Sequence, residues 1–416
     1  MVYGLAHLGK SLFWYSSEIL FAYFLTEYVG LSASRMGMVL AAGFLVSALI
    51  DIAMGVGLRR WLAAPGSASR MQLLGAVLCS VALALVFLGA MIPAEARFLY
   101  ALGAGVTFRF AFAAYDIPQN ALMALATRDA DSRFRVASTR IWFSGAATLI
   151  VAAAVGPVIG MRGNAGGSWL LLGLTGLFAL VAISSAWLLF RLLGDAEAVV
   201  TPKQHPSPRG SSLPADFWWL LFVMFVTSMF TPAFSKLEPY YATYVLRSAW
   251  WGGIVILLMA TGIFAGQPLW VHLCRRMSFG AVMLIAAVTQ IVALLVFWLT
   301  GASAPAIAAA AAFAFGLGNG GVGMVQWAAF SASVTRLGPD RAGLSYGLFA
   351  ATGKAALAAG GLLLAAALVR VDLRGTDGLD LITVMMAISL AGAISCVIAA
   401  IGLHAWAGRA GTRVPL

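Results

Sequence analysis

The sequence predicts an all-α integral membrane protein: twelve transmembrane helices arranged as two pseudo-symmetric six-helix halves. Three observations predict it. The 416-residue chain is 62% hydrophobic and only 10% charged, whereas a soluble domain carries about 25% charged residues. Its apolar residues form long continuous runs, and a run of about 20 is what crosses a bilayer. A polar, Pro- and Ser-rich stretch from Gly194 to Asp216 divides those runs six and six.

The mean hydropathy of +0.94 leaves lipid as the solvent for most of the chain. The net charge of +11 does not indicate a nucleic-acid partner, because the basic residues fall in short gaps between apolar runs, as membrane topology requires. The runs lack the alternation of an outer-membrane barrel. Cys79, Cys274 and Cys396 lie far apart in apolar stretches, without metal spacing, and read as small buried hydrophobes.

Taken in order, the expected spans are residues 8–29, 36–57, 71–93, 98–126, 136–160 and 167–193, then 217–246, 250–272, 279–300, 304–330, 342–369 and 381–407. The first carries Lys10 and Glu18 and has no small-residue cleavage site, so it is a retained span and not a signal peptide. The second holds Asp51 in "SALIDIAMG". The fourth holds Arg109, and Asp116 just before Ile117-Pro118; that proline removes one helical hydrogen bond. Arg140 stands about a turn into the fifth. Lys236 and Glu238 lie in "FSKLEPYYATY" of the seventh. Trp327 follows "GLGNGGVG" in the tenth, and Lys354 lies in "GLFAATGKAALAAGG" of the eleventh. The expected domains are residues 1–194, a cytoplasmic linker 195–216, and 217–416.

Basic residues in the gaps set the orientation. On one side fall Arg59, Arg60, Arg70, Arg128, Arg133, Arg135, Arg191, Lys203, Arg209, Arg275, Arg276, Arg336, Arg341, Arg409 and Arg413. On the other fall only Arg35, Arg97, Arg162, Arg247, Arg370 and Arg374. Fifteen against six places both ends in the cytoplasm, with the inner (plasma) membrane as the location. The halves also echo each other. Thr127-Arg128 followed by Arg133 matches Thr335-Arg336 followed by Arg341, and "GLRR" ending at Arg60 matches "LCRR" ending at Arg276. Parallel six-helix repeats of this kind build the major facilitator fold, whose solute site lies at the midplane.

Ionised groups at mid-bilayer depth cost a few kcal/mol or more and persist where they face water or partners. Asp51 is a candidate proton carrier or cation ligand. Asp116 and Arg140 are candidates for solute contact, with a structural ion pair as the alternative. Lys354 would add a second cation to the same cavity as Arg140, suiting an anionic or hydroxyl-rich solute. Lys10 either takes part or snorkels to the interface. Glu27 reads as rim, and the roles of Glu18, Arg109, Lys236 and Glu238 stay open. Lys236 and Glu238, two apart, do not share a helix face. Trp327 is the aromatic candidate for stacking on a solute.

Three segments resemble one family: "HLGKSLFWYSSEILFAYFLTEYVGLS" through "DIAMG", "YDIPQNAL", and "QWAAFSASVTRLGPDRAGLSYGLFAATGKAALA". They are similar to the glycoside–pentoside–hexuronide:cation symporters, the melibiose permease-like branch of the major facilitator superfamily. The resemblance implies that Asp116 binds the sugar near the cation site, that Arg140 lines the sugar pocket, and that Lys354 lies between sugar and cation. It matches Lys10 to the lysine of a Gly-Lys pair and Asp51 to the second of two cation-holding acids. The first of those acids falls on Ser47. A sugar-binding acid falls on Ser11, a tyrosine on Phe112 and a tryptophan on Asn120. A sodium site stripped of an acid is weak, since hard cations want several oxygens, so proton coupling fits better than Na+. Loss of the sugar-binding acid shifts the cavity towards acidic solutes.

The function expected is cation-coupled symport, with protons as the coupling ion, of a sugar derivative or organic acid by alternating access. No cofactor, enzymatic activity or nucleic-acid partner is expected, and no phosphate-binding loop supports ATP drive. The partners expected are the solute and membrane lipid, with the chain a monomer. The rivals are a lipid or lysolipid transporter of the same fold and a membrane binding or assembly protein that does not transport.

Overall fold

The computed structural model describes residues 1–57, 64–125, 130–162, 165–194, 213–337, 339–371 and 379–410. Among the described residues the regular structure is entirely helical. The chain divides into two compact units, Met1–His205 and Pro206–Leu416. The first contains α1 (Val2–Glu27), α2 (Ala33–Gly57), α3 (Pro65–Leu88), α4 (Arg97–Leu125), α5 (Ala130–Gly160) and α6 (Ala165–Leu193). The second contains α7 (Ala215–Phe230), α8 (Ala233–Tyr240), α9 (Ala249–Ala265), α10 (Gln267–Arg276), α11 (Phe279–Thr300), α12 (Pro305–Leu337), α13 (Pro339–Leu368) and α14 (Leu379–Ala410).

Eleven stretches are long and apolar enough to cross a membrane. Helix α1 carries Lys10, Glu18 and Glu27 along a mostly apolar 26 residues and makes the twelfth. The outer faces of the spans are greasy: Leu74 is 59% exposed, Leu180 67% and Leu299 72%. That surface suits acyl chains, not water, and the protein is a multi-pass membrane protein.

Some boundaries move. The first helix starts at Val2, six residues before the predicted 8, because Val2–Leu8 packs inward: Ala6 and His7 are buried. Lys10 therefore lies more than two turns inside the helix and does not snorkel. Ala215 and Asp216, expected in the linker, open α7. Residues 195–212 lie outside the described residues, as do Thr127, Arg128 and the "LRR" of residues 58–60, and the side chains of Arg133, Thr335, Arg336 and Arg341. Cys274 is only half-buried, whereas Cys79 and Cys396 are fully buried, all three as free thiols.

The seventh span is not one helix. Pro232 cannot donate to the Ser228 carbonyl, and α7 stops there; Lys236 N–H then bonds the Pro232 carbonyl at 3.1 Å to begin α8. Pro239 removes a second donor. The chain widens into a π-turn over Tyr241–Val245, closed by Leu246 N–H to the Tyr241 carbonyl at 3.0 Å. Arg247 takes a positive φ of 51°, and Ser248 caps α9 by accepting from Trp251 N–H. The eighth span breaks at Gly266, where Pro268 starts α10.

Inside each unit the helices meet in one pattern. In the first unit α3 packs on α4 and α6, α2 on α4, and α1 on α5 and α6. In the second, α11 packs on α12 and α14, α9 on α12, and α7 on α13 and α14. Counting spans, both units join third with fourth, third with sixth, second with fourth, first with fifth and first with sixth. A duplicated six-helix bundle produces that repetition.

Candidate functional site

Helix α1 runs antiparallel to α4 and parallel to α5. Down α1, Lys10 meets Asp116, Trp14 lies tilted against Phe112 with centroids 5.4 Å apart, Glu18 meets Arg109, and Phe21 meets Phe108 at 5.2 Å. At the far ends, Tyr28 donates to the Val158 carbonyl of α5, and Glu27 pairs with Arg162 at 2.9 Å. That is the rim position expected for Glu27.

The polar centre of the first unit sits where α1, α4 and α5 converge. Lys10 Nζ bonds Asp116 Oδ1 at 2.5 Å, and its side chain is only 6% exposed. Asn120, four residues on, lies on the same face of α4 as Asp116. Its Oδ1 accepts from Arg140 Nη2 at 2.9 Å and from Lys10 Nζ at 3.5 Å. One amide oxygen thus joins two cations, each from a different helix. Pro118, between Asp116 and Asn120, lies inside α4 without ending it. It deprives the Ala114 carbonyl of its helical donor, and Gly75 of α3 comes close at that level: a Cβ there would lie 2.6 Å from the Ala114 oxygen. Tyr3, one face over, donates to the Gln119 carbonyl at 2.9 Å.

Asp51 belongs to the same depth. Gly105 of α4 meets Val39 of α2, and Gly43 of α2 meets Arg109. The offset is 66 residues in both cases, so α2 and α4 run parallel. The same offset sets Asp51 level with Ile117 and Ser47 one turn away. Both are buried: Ser47 is 1% exposed, with no hydrogen-bond partner for its Oγ among the described residues, and Asp51 is 8% exposed. Among the described residues no three His, Cys, Asp or Glu side chains gather as a metal site.

In the second unit, Lys354 is 8% exposed on α13. Its neighbour Gly353 leaves room for the Met224 side chain of α7. Trp327 of α12 is 54% exposed, edge-on to Phe349 at 5.0 Å and near Phe330 at 6.1 Å; Phe330 and Phe349 stack at 3.9 Å. One face of the Trp327 indole is therefore held by aromatics, and the rest is open.

Asn120 is a residue that sequence reasoning misses. The resemblance marks it only as the place of a missing tryptophan, although its spacing of four from Asp116 is there to be read. Arg109 is marked by the sequence as intramembrane, but its partners are not. Its guanidinium pairs with Glu18 at 3.2 Å and lies 3.8 Å from the Phe44 ring centroid and 5.5 Å from Trp14.

Residues 2–407 match the MFS/sugar transport protein family. The chain belongs to that family. Over 219 residues it is 24% identical to YagG of Escherichia coli (strain K12), which bears the provisional name glycoside/cation symporter. The alignment takes in 53% of this chain and 46% of that protein, so the chain spans about half the length of the curated relative it matches. Solved structures of similar fold include a bacterial homologue of the human drug peptide transporters PepT1 and PepT2 (TM-score 0.66, 16% identical, covering 99% of this chain and 98% of that one). Others are a point mutant of the nucleoside transporter NupG (TM-score 0.65, 14% identical, 97% and 98% covered) and a bacterial homologue of the iron transporter ferroportin in its inward-facing state (TM-score 0.64, 13% identical, 96% and 97% covered). At such identities they establish the fold alone. That fold, in an MFS/sugar transport protein, is the twelve-span arrangement the sequence predicts.

Proposed function

We propose that this MFS/sugar transport protein is a secondary transporter in the plasma membrane. It moves a polar, anionic small solute, such as a sugar derivative or an organic acid, by alternating access and in symport with protons. One observation carries the reading: Lys10 and Arg140 converge on Asn120 beside a single carboxylate, Asp116. With Asp51 holding the coupling proton, Lys10, Arg140 and the Asp116 carboxylate leave one net positive charge at this level, which favours an arriving negative charge. The arginine fork suits a planar carboxylate. Asp51, level with Asp116 and next to an unpartnered Ser47 hydroxyl, is the carboxylate to take the coupling proton. Within the second unit, buried Lys354 and half-exposed Trp327 are the cation and the aromatic that suit the same class of solute. The relative's name, which pairs a glycoside with a cation, supports cation-coupled transport of a sugar derivative.

The test is uptake by proteoliposomes under an imposed pH gradient. The solutes would be labelled hexuronates, aldonates, small carboxylates, neutral glycosides and a lysophospholipid. Inward proton gradients should drive an anionic solute uphill. K10M and R140M each remove a charge-assisted bond worth about 1.5–3 kcal/mol, so solute affinity should fall roughly ten- to a hundredfold. Uptake confined to neutral glycosides, or to the lysolipid, defeats the anionic assignment. Uphill uptake that survives in both D51N and D116N defeats the proton assignment.

A further inference from the structure

A buried acid that the proposed transport site does not use lies in the second unit. Glu238 of α8 is 1% exposed, and its Oε1 has no hydrogen-bond partner among the described residues. Two buried hydroxyls in the same seam share that condition: Thr231 Oγ1 at the α7–α8 break and Ser389 Oγ on α14. Helix α14 packs along α8. At Gly392 its backbone comes so near that a Cβ would lie 3.3 Å from the nitrogen and Oγ1 of Thr231. Ser389 is three residues from Gly392 and so faces the same way. Glu238 stands on α8, which begins directly after Thr231-Pro232 and packs along the same α14. Three oxygens without partners therefore line one seam, and only one of them belongs to an ionisable group.

The backbone here is loosened from both ends. Pro232 and Pro239 delete donors, and the π-turn follows directly. Irregular helix at membrane depth persists where it is buried in protein or lines a watery space, and π-turns gather at functional sites. The surroundings supply little fixed charge. Helix α9, packed on α8, contains no ionisable residue. Helix α14 offers exposed Asp380 and buried Cys396. The π-turn contributes Tyr244 and Tyr241; Tyr241 lies within electrostatic reach of Glu238 but gives its hydroxyl proton to the Gly301 carbonyl at 2.6 Å. On α8 itself stand Tyr240 and buried Lys236, the latter two residues from Glu238 and on another face. An ionised carboxylate in such a seam leaves an acceptor unsatisfied, which is costly. The protonated acid has an O–H to give to a neighbouring hydroxyl.

We propose that Glu238 is a proton-binding site of the second unit, separate from the Lys10–Asp116–Arg140 cluster. A hydronium ion reaching the α8–α14 seam gives its proton to Oε1, forming the carboxyl O–H and leaving water; no other bond changes. The reverse step releases the proton.

Infrared difference spectroscopy of the full chain in lipid, with buffer stepped between roughly pH 5 and pH 10, tests this without any solute. Its result therefore stands or falls apart from the transport reading. A component of the protonated-carboxyl stretch, separate from any that D51N or D116N removes, should grow on acidification and vanish in E238Q. In E238D it should persist with a displaced frequency and midpoint, which keeps the test decisive if E238Q fails to fold. A band that never titrates makes Glu238 a fixed neutral acid and overturns the proposal. So does the absence of any such component in the wild type, or a spectrum in which E238Q and E238D leave every titrating component untouched.

Discussion

Arg109 shows what a single residue must do to live at this depth. It is 3% exposed, and desolvating a guanidinium costs several kcal/mol. Three neighbours offset that cost: the Glu18 carboxylate at 3.2 Å, the face of Phe44 at 3.8 Å, and Trp14 further out. The pair ties α1 to α4 and sits against α2, two turns from the Lys10–Asp116 contact. Breaking such a pair from one side leaves a buried charge, whereas removing both partners does not. We therefore expect R109M to lower stability by about 3–5 kcal/mol and the double variant E18Q/R109M to recover most of it. Thermal unfolding in detergent, run as a full double-mutant cycle, measures this. A double variant as unstable as the sum of the singles would mean that the two residues do not depend on each other. The sequence marks Glu18 and Arg109 as intramembrane ionisable groups but leaves their roles open. They are 91 residues apart, and no helical periodicity links positions on different helices. By contrast, Asp116, Arg140 and Lys10 are legible, because a charge within an apolar run is a signal by itself. Which partner each takes is not, since side-chain reach across a helix seam depends on register.

At the scale of the helix, small residues decide how closely spans approach. Helices α9 and α12 touch backbone to backbone. A Cβ on Gly262 would lie 2.1 Å from the Phe313 carbonyl oxygen, and one on Gly316 would lie 2.0 Å from that of Met259. Neither carbonyl can yield without shifting its helix. Lipid gives helices no hydrophobic reason to associate, so this close packing is what holds the seam. G262V and G316V should each abolish the monodisperse folded peak of a fluorescent fusion in detergent. G323A, on the same helix α12 but with open space around it, should leave that peak unchanged. A folded G316V protein would show that α9 and α12 can separate at no cost. The "GLGNGGVG" run is legible as a place of close approach or solute access. Deciding between those requires the partner helix. The same limit explains the seventh span: hydropathy sees one run from 217 to 246, whereas Pro232 and Pro239 split it, and propensity alone does not say whether a proline kinks a membrane helix or ends it.

The repeated contact pattern carries the argument to the whole molecule. Five helix pairings recur in the two units span for span, and the Arg-rich gap motifs recur at the matching places in the sequence. A unit of six spans returns the chain to the side it started from. The gap between the two units and the gaps after the second and fourth span of each unit then lie on one side, where the fifteen basic residues gather. The gaps after the third and fifth spans lie on the other. If basic residues fix orientation as they do in short loops, alkaline phosphatase fused after Gly194 or after Arg276 should be inactive, and after Arg162 or after Gly301 active. Fluorescent-protein fusions at the same four positions should give the opposite pattern. An active phosphatase after Gly194 would invert the topology and put Lys10 and Arg140 nearer the outer face than the inner. The solute would then meet the two cations from outside first.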